Sequence, residues 1–188
     1  MNTIQAAHWL INHDDYLILT HRSPDGDTIG SAAGLCLALR EQGKTAYVLE
    51  NEDISDRFLP FFEGITMKDD GFVPKTIVAV DIAATSLIPD NAKDYEIDLT
   101  IDHHPSQEYF AKETLVEPDK AATGEIIYHI VDRWTAVSKE VALPLYLAVS
   151  TDTGCFVYGN TTGDTHRVAG VLMDTGLDIR TINHTHFR

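Results

Sequence analysis

The sequence YLILTHRSPDGDTIGSAAGLCLALREQGKTAYVL spans residues 16–49 and determines the fold class. Its first five residues, 16–20, form a short apolar run that predicts a buried strand. The Ala- and Leu-rich segment 28–42 predicts a helix that stops at Gly43, because glycine commonly follows the last helical residue. A second strand-like run occupies 45–49. The stretch is therefore predicted to form a β-α-β unit.

The rest of the chain continues this alternation of apolar runs and helical segments. Further strands are predicted over 76–80, 97–101 and 115–116, and further helices over 3–13, 121–135, 138–153, 163–176 and 178–185. Continuously apolar strands that alternate with helices are typical of parallel sheets covered on both faces. We therefore expect an α/β fold: a doubly wound, mainly parallel five-stranded sheet with helices on both faces and a helical C-terminal part. Gly30 is expected to let its helix pack closely on the sheet.

Composition and charge limit the kind of protein that this sequence can form. A chain of 188 residues, 44% hydrophobic and 23% charged, is expected to form one domain over 1–188. The formal net charge of −15 argues against the long basic surface that binds duplex DNA, so any nucleic-acid partner is expected to be short. No apolar window approaches the roughly 18 residues of a membrane span, and no basic start precedes an apolar run. We expect no membrane partner and a cytoplasmic location.

Acidic and histidine side chains cluster where the predicted strands end. The residues that close or follow strands are His21, Asp25, Asp27, Asp81, Asp102, His103 and His104. In open parallel sheets, ligands bind outside the carboxyl ends of the strands, where the strand order reverses. Asp152, near the end of a predicted helix, is expected to join them. We therefore predict that these segments share one site.

The chemistry of these side chains indicates bound metal. Several carboxylates in one crevice repel each other, and a cation is the simplest way to keep them ionised together. Carboxylates with a minority of imidazoles and no thiolate favour Mn²⁺, although Co²⁺, Fe²⁺, Mg²⁺ or Zn²⁺ can occupy such ligands. Two divalent cations about 3.5–4 Å apart can hold a phosphoryl group and activate water for its hydrolysis. Asp81 is the expected bridging ligand, and His104 is expected to contact phosphate or protonate the leaving group.

Four motifs, in this order, resemble those of the DHH phosphoesterase superfamily. They are His21–Asp27, Asp81, Asp102-His103-His104 and Asp152-Thr153-Gly154. The flanking stretches 122–125 and 156–162 are similar to the nanoRNase branch, which degrades short oligonucleotides and dephosphorylates 3′-phosphoadenosine 5′-phosphate. The resemblance implies a metal-dependent phosphoesterase that acts on a short single-stranded oligonucleotide or a small phosphorylated nucleotide.

The resemblance also implies a role for each site residue. One Mn²⁺ would be bound by His21, Asp25 and Asp81, and the other by Asp27, Asp81, His103 and Asp152. The candidate catalytic residues are His104, Asp81 and Asp27. Asp102 is expected to orient a histidine without binding metal itself. Further candidates for substrate contact are Arg22, Asn160, Thr161 and Arg167.

Members of this superfamily normally continue into a second, substrate-binding domain, and we expect that this chain lacks it. An open site, weak turnover and pairing into a homodimer through exposed apolar surface are the expected consequences. The alternative functions are an inorganic pyrophosphatase and a cyclic-dinucleotide phosphodiesterase. From another class, the alternative is a non-catalytic metal- or nucleotide-binding protein with the same fold.

Overall fold

The computed structural model describes residues 1–68 and 71–187, which include a five-stranded sheet. The strands are β1 (Tyr16–Leu19), β2 (Ala46–Val48), β3 (Thr76–Val80), β4 (Leu99–Asp102) and β5 (Glu113–Val116). Neighbouring strands all pair in parallel, in the order β2-β1-β3-β4-β5. The order reverses at β1, whose neighbours β2 and β3 lie on opposite sides of it. The predicted α/β fold with a parallel five-stranded sheet is confirmed.

Within the described ranges the α-helices are α1 (Thr3–Ile11), α2 (Gly26–Glu41), α3 (Thr123–Val131), α4 (Lys139–Asp152), α5 (Gly163–Asp174) and α6 (Ile179–Phe187). Each overlaps a predicted helix. Helix α2 starts before the predicted Thr28, because Asp25 Oδ1 accepts hydrogen bonds from the N–H groups of Asp27 and Thr28, at 3.0 and 3.2 Å. None of these helices is long and apolar enough to cross a membrane.

The two faces of the sheet are covered differently. Successive side chains of a strand point to opposite faces of the sheet. Ile18 and Val78 point to one face and pack against the buried side of the α-helices. Their neighbours Leu17 and Ile77 pack instead with Ala92, which belongs to a 3₁₀ turn, and with loop residues. The α-helices therefore cover one face, whereas short 3₁₀ helices and loops cover the other. Among the described residues, the prediction of helices on both faces thus holds for the second face only as 3₁₀ helices.

Helices α2 and α4 pack antiparallel at very short range. A Cβ atom on Gly30 would lie 2.3 Å from the carbonyl oxygen of Pro144, and one on Gly26 would lie 2.3 Å from Thr151 Oγ1. The prediction that Gly30 packs on the sheet is therefore wrong, because its close neighbour is α4. The same contact brings the start of α2 beside the end of α4, so the acidic residues at those two helix ends come together.

Candidate metal centre

All predicted metal ligands lie at the carboxyl edge of the sheet. They are His21, Asp25, Asp27, Asp81, His103 and Asp152. The first three follow β1 and begin α2, the next two follow β3 and β4, and the last ends α4. Their potential ligand atoms form groups in which all atoms lie within 4.8 Å of one another. The fold therefore assembles in one crevice side chains that are far apart along the chain.

The first group consists of His21, Asp25 and Asp81. His21 Nε2 lies 3.7 Å from Asp25 Oδ1 and 3.8 Å from Asp81 Oδ2. The other ring nitrogen, Nδ1, lies 2.7 Å from the carbonyl oxygen of Arg22. Because a carbonyl oxygen only accepts, Nδ1 of the neutral ring carries the proton and Nε2 keeps a lone pair toward the carboxylates. An imidazole in this state can bind a metal ion.

The second group is centred on His103. Its Nε2 lies 3.4 Å from Asp152 Oδ2, 3.6 Å from Asp27 Oδ2 and 3.7 Å from Asp81 Oδ1. Its Nδ1 lies 3.1 Å from the carbonyl oxygen of Lys120, which orients the ring in the same way as in the first group. Asp81 faces both groups through different oxygens, as a bridging ligand would.

The two most buried carboxylates among these ligands, Asp27 and Asp81, are difficult to ionise without a cation. Burial, followed by the negative charge of Asp25, raises the pKa of Asp81 to about 7. Burial, together with Asp81 and Asp152, raises the pKa of Asp27 well above its usual range. Carboxylate oxygens and imidazole nitrogens, without a thiolate, are a donor set that suits divalent cations such as Mn²⁺. The residues therefore fit the predicted metal, since a cation would reverse the repulsion among these groups.

Asp27 is held by three hydrogen-bond donors. Ser31 Oγ donates to its Oδ1 at 3.0 Å, the Gly124 N–H donates to the same oxygen at 3.0 Å, and the Thr123 N–H donates to Oδ2 at 2.7 Å. Thr123 Oγ1 also donates to Asp81 Oδ1 at 2.9 Å. Sequence reasoning did not assign a site role to Thr123 or Gly124. The available signal was a Thr-Gly pair at the start of a predicted helix.

His104 is oriented by a buried carboxylate. Its Nδ1 lies 2.7 Å from Asp102 Oδ1, and Gln107 Nε2 donates to the other oxygen of Asp102 at 2.8 Å. The hydrogen bond to Asp102 raises the pKa of His104 to about 9, against the opposing effect of burial. His104 Nδ1 is also 3.6 Å from Asp81 Oδ1, but a nitrogen that donates to Asp102 has no lone pair for a metal ion. Nε2 is the nitrogen left for other contacts.

The two arginines predicted to contact substrate both have carboxylate partners. Arg22 pairs with Asp90 at 2.7 Å, and Arg167 pairs with Asp164 at 3.3 Å. Both guanidinium groups are exposed, and such exposed pairs contribute little to stability. Binding of substrate phosphate by these residues stays a prediction.

The two polar residues predicted to contact substrate belong to the loop after α4. Asn160 Nδ2 donates to the carbonyl oxygens of Ala121 and Asp152, both at 3.1 Å. Thr161 Oγ1 is buried and has no hydrogen-bond partner among the described residues. Asn160 therefore connects the end of α4 to the segment before α3, and its contact with substrate stays a prediction.

A further group of potential ligands, which shares no residue with those above, consists of Glu125, His129 and Asp164. It contains a cation of its own, because Lys120 Nζ lies 2.6 Å from Asp164 Oδ2 and 3.5 Å from Glu125 Oε1. His129 Nε2 lies 2.8 Å from Asp164 Oδ2. Because the ammonium group already pairs with both carboxylates, we interpret this group as an ion-pair network.

The sheet and the crevice define a class of protein: an α/β protein whose sheet edge gathers carboxylates and imidazoles suited to divalent cations. Residues 15–149 match the DHH family, N-terminal domain. The chain belongs to this family.

Two named relatives match the chain over about half of their own length. It is 36% identical over 167 residues to the bifunctional oligoribonuclease and PAP phosphatase NrnA of Thermus thermophilus, covering 86% of the chain and 50% of the relative. It is 27% identical to the protein of the same name from Bacillus subtilis, covering 86% of the chain and 53% of the relative. The chain thus spans about half the length of the curated relatives that it matches.

Solved structures support the same fold. An exopolyphosphatase-related protein from Bacteroides fragilis superposes with a TM-score of 0.85 at 27% identity, over 98% of this chain and 59% of that one. A putative family II inorganic pyrophosphatase from Methanococcus jannaschii superposes with a TM-score of 0.67 at 20% identity, over 90% of this chain and 60% of that one. The second likeness concerns the fold alone.

Proposed function

We propose that residues 1–188 form the catalytic domain of a phosphoesterase that hydrolyses phosphoester bonds with two divalent cations. The observation that carries this proposal is that Asp81 faces His21 through Oδ2 and His103 through Oδ1, so that its carboxylate lies between two sets of potential ligands. His21, Asp25 and Asp81 would hold one ion. Asp27, Asp81, His103 and Asp152 would hold the other. Mn²⁺ is the metal that this mixture of carboxylates and imidazoles favours.

The residues of the chain have distinct tasks in this proposal. Divalent cations in such a centre supply positive charge for phosphate oxygens and lower the pKa of water. Asp81 keeps the two sites together, and Asp27, held by its three donors, contributes a fixed carboxylate. Asp102 orients His104 through Nδ1, so Nε2 is available to donate a proton to the leaving oxygen.

We propose short single-stranded oligonucleotides, or small phosphorylated nucleotides such as 3′-phosphoadenosine 5′-phosphate, as substrates. The names of the relatives support this choice. The net charge of −15 agrees with a short substrate, because long duplex DNA requires many basic contacts. A homodimer and a cytoplasmic location stay predictions.

Metal content tests the first part of the proposal. Protein purified without chelator and dialysed against Mn²⁺ should contain two ions per chain by inductively coupled plasma mass spectrometry. A content of zero would remove the basis of the mechanism, and a content of one would remove the two-ion arrangement.

A comparison of substrates tests the second part. Hydrolysis of a ribodinucleotide, 3′-phosphoadenosine 5′-phosphate, a cyclic dinucleotide and pyrophosphate should be measured with Mn²⁺. We expect turnover of the first two, and the His104→Gln variant should lose about 10²–10⁴-fold in kcat while it retains both ions. Cleavage of pyrophosphate alone would favour a pyrophosphatase, cleavage of the cyclic dinucleotide alone would favour that phosphodiesterase, and no turnover at full metal content would favour a binding protein.

A further inference from the structure

The segment Lys120–Gly124 touches the metal centre through its backbone. The carbonyl oxygen of Lys120 accepts a hydrogen bond from His103 Nδ1 at 3.1 Å. The N–H groups of Thr123 and Gly124 donate to the two carboxylate oxygens of Asp27, at 2.7 and 3.0 Å. The directions in which this carbonyl group and these N–H groups point depend on the backbone conformation of Lys120–Gly124. A displacement of the segment therefore moves a histidine and a carboxylate of the centre at the same time.

Glu125 directly follows this segment and is fully buried. Its Oε2 accepts hydrogen bonds from the Ala121 N–H at 3.2 Å and from Thr165 Oγ1 at 3.0 Å. Its Oε1 has no hydrogen-bond partner among the described residues and faces Lys120 Nζ at 3.5 Å. A buried carboxylate is costly unless it is paired and hydrogen-bonded. The two hydrogen bonds and the ion pair of the Glu125 side chain all lead to Lys120–Gly124 or to α5.

The network beyond Glu125 joins the start of α3 to the start of α5. Lys120 Nζ donates to Asp164 Oδ2 at 2.6 Å, and His129 Nε2 lies 2.8 Å from the same oxygen. Asp164 and Thr165 both belong to the first turn of α5. Glu125 therefore contacts Lys120–Gly124 at two points, Ala121 and Lys120, and contacts a second helix through Thr165.

We propose that Glu125 is a positioning residue for the metal centre: it holds Lys120–Gly124 so that the backbone of this segment directs His103 and Asp27 toward a common cation. The inference rests on the proposed function, because it requires a cation beside His103. Groups hydrogen-bonded to metal ligands typically change metal affinity by about 10–100-fold when they are altered. Glu125 acts one step further away, and we expect an effect at the lower end of this range.

The Glu125→Gln variant tests this role, because it keeps the side-chain shape and removes the negative charge facing Lys120. We expect about tenfold weaker Mn²⁺ binding in one of the two binding steps, measured by competition with a fluorescent chelator. The matched control is Ile130→Val, which shortens another buried side chain of α3 and leaves Glu125 and its hydrogen-bond partners unchanged. This control should bind Mn²⁺ as the parent does.

A second readout needs no metal. Two-dimensional ¹⁵N NMR of the imidazole groups, in the presence of chelator, should show neutral His103 as the Nδ1–H tautomer in the parent, as its contact with the Lys120 carbonyl requires. In Glu125→Gln we expect a mixture of tautomers at His103 and an unchanged His21. If Glu125→Gln does not fold, Thr165→Val removes one donor to Glu125 and should cause a smaller change in the same direction.

The outcomes separate this inference from the proposed function. A folded Glu125→Gln variant with parental Mn²⁺ affinity and a parental His103 tautomer would overturn the positioning role. An equal loss of affinity in Ile130→Val would also overturn it, since the effect would then be one of general stability. A parent protein that binds no Mn²⁺ would overturn the proposed function instead, whatever the tautomer of His103.

Discussion

Asp81 combines an unfavourable backbone conformation with a buried charge. Its φ of 60° lies in the left-handed region, which costs an L residue about 1–2 kcal/mol and which Asp and Asn tolerate better than most. The residue directly follows β3, and its carboxylate faces His21 and His103 from different oxygens. Strained residues of this kind persist where the surrounding structure holds them, often at functional sites. The backbone conformation and the buried charge of Asp81 lower the stability of the fold, whereas its proposed bridging role requires both.

Replacement of Asp81 should therefore separate metal binding from stability. The Asp81→Asn variant keeps a side chain that tolerates left-handed backbone and removes a buried charge beside Asp25. We expect it to lose both ions and, in chelator, to be about 1–2 kcal/mol more stable than the metal-free parent. Metal analysis and urea unfolding measure the two effects.

Asp81→Ala is the matched control for this prediction. It also removes the charge, but alanine tolerates the left-handed conformation less well, so it should be less stable than Asp81→Asn. Two ions retained by either variant would contradict the bridging role of Asp81.

Among the secondary-structure elements, helices α2 and α4 make the close contact on which the position of the proposed ligands depends. A methyl group at Gly30 would meet the carbonyl oxygen of Pro144, a backbone atom that cannot move unless α4 shifts. We expect Gly30→Ala to destabilise the protein by about 1–3 kcal/mol and to weaken Mn²⁺ binding, because both helices carry proposed ligands. Chemical unfolding and the chelator competition check these effects.

Gly170→Ala provides the control for this helix contact. Gly170 lies in α5, and a Cβ atom there would meet no atom within 4 Å. The greater helix propensity of alanine should stabilise this variant by up to about 1 kcal/mol without a change in Mn²⁺ affinity. Equal destabilisation by both substitutions would show that glycine is not required at the α2–α4 contact.

Helix α6 should respond to mild acid through His186. Its ring stacks on Phe58 with 5.4 Å between centroids, and its Nδ1 is buried without a hydrogen-bond partner in the described ranges. Burial, with a contribution from Arg57, lowers the pKa of His186 below its ordinary 6.5. The unfolded helix therefore binds the proton more readily, so the stabilisation by His186 is complete above pH 6.5 and is lost as the pH falls below it.

Hydrogen exchange of residues 179–187 between pH 7.5 and pH 5, corrected for intrinsic rates, should show this loosening of α6. His186→Phe keeps an aromatic ring on Phe58 and removes the titrating group. In this variant, the protection of the α6 amide groups against hydrogen exchange should not depend on pH between 7.5 and 5. His184→Gln changes an exposed histidine of the same helix and should behave as the parent. The same loosening in His186→Phe would exclude His186 as the cause.

The whole molecule carries 29 acidic and 14 basic side chains, so two divalent cations would relieve a large excess of negative charge. A ligand that binds only the folded state stabilises it by about 2.7 kcal/mol per site at a free concentration of 100 times Kd. Mn²⁺ should therefore raise Tm, and excess chelator should reverse the rise.

Sodium chloride at equal ionic strength is the control for this effect of Mn²⁺, because it screens the net charge without occupying the sites. It should raise Tm much less than Mn²⁺, and Asp81→Asn should show only the screening effect. An equal rise in both salts would mean that Mn²⁺ acts through screening rather than by binding at the centre.

Local sequence pattern is enough to predict the fold class and to select the candidate ligands. Apolar runs such as 16–20 and 76–80 identify buried strands by local pattern, and parallel strands place the residues that follow them at one edge of the sheet. Asp25, Asp81 and His103 can thus be identified from the sequence alone, because each carries a distinctive side chain at a strand end or the helix start beside it. For helix α2, the structure differs from the prediction in its first residue, because Asp25 caps the helix and the helix begins at Gly26 instead of Thr28.

The contacts that hold the proposed ligands arise from packing between segments that are distant in the chain. The carbonyl oxygen of Lys120 and the N–H groups of Thr123 and Gly124 are backbone groups, which almost every residue possesses, so the residue types at these positions do not specify which side chains they contact. Gly30 meets α4 rather than the sheet because two helices distant in the chain cross there. The burial and pairing of Glu125 likewise depend on α5, which lies beyond α4 in the chain. Local pattern specifies which side chains reach the sheet edge, whereas the contacts that orient them arise from packing between distant segments.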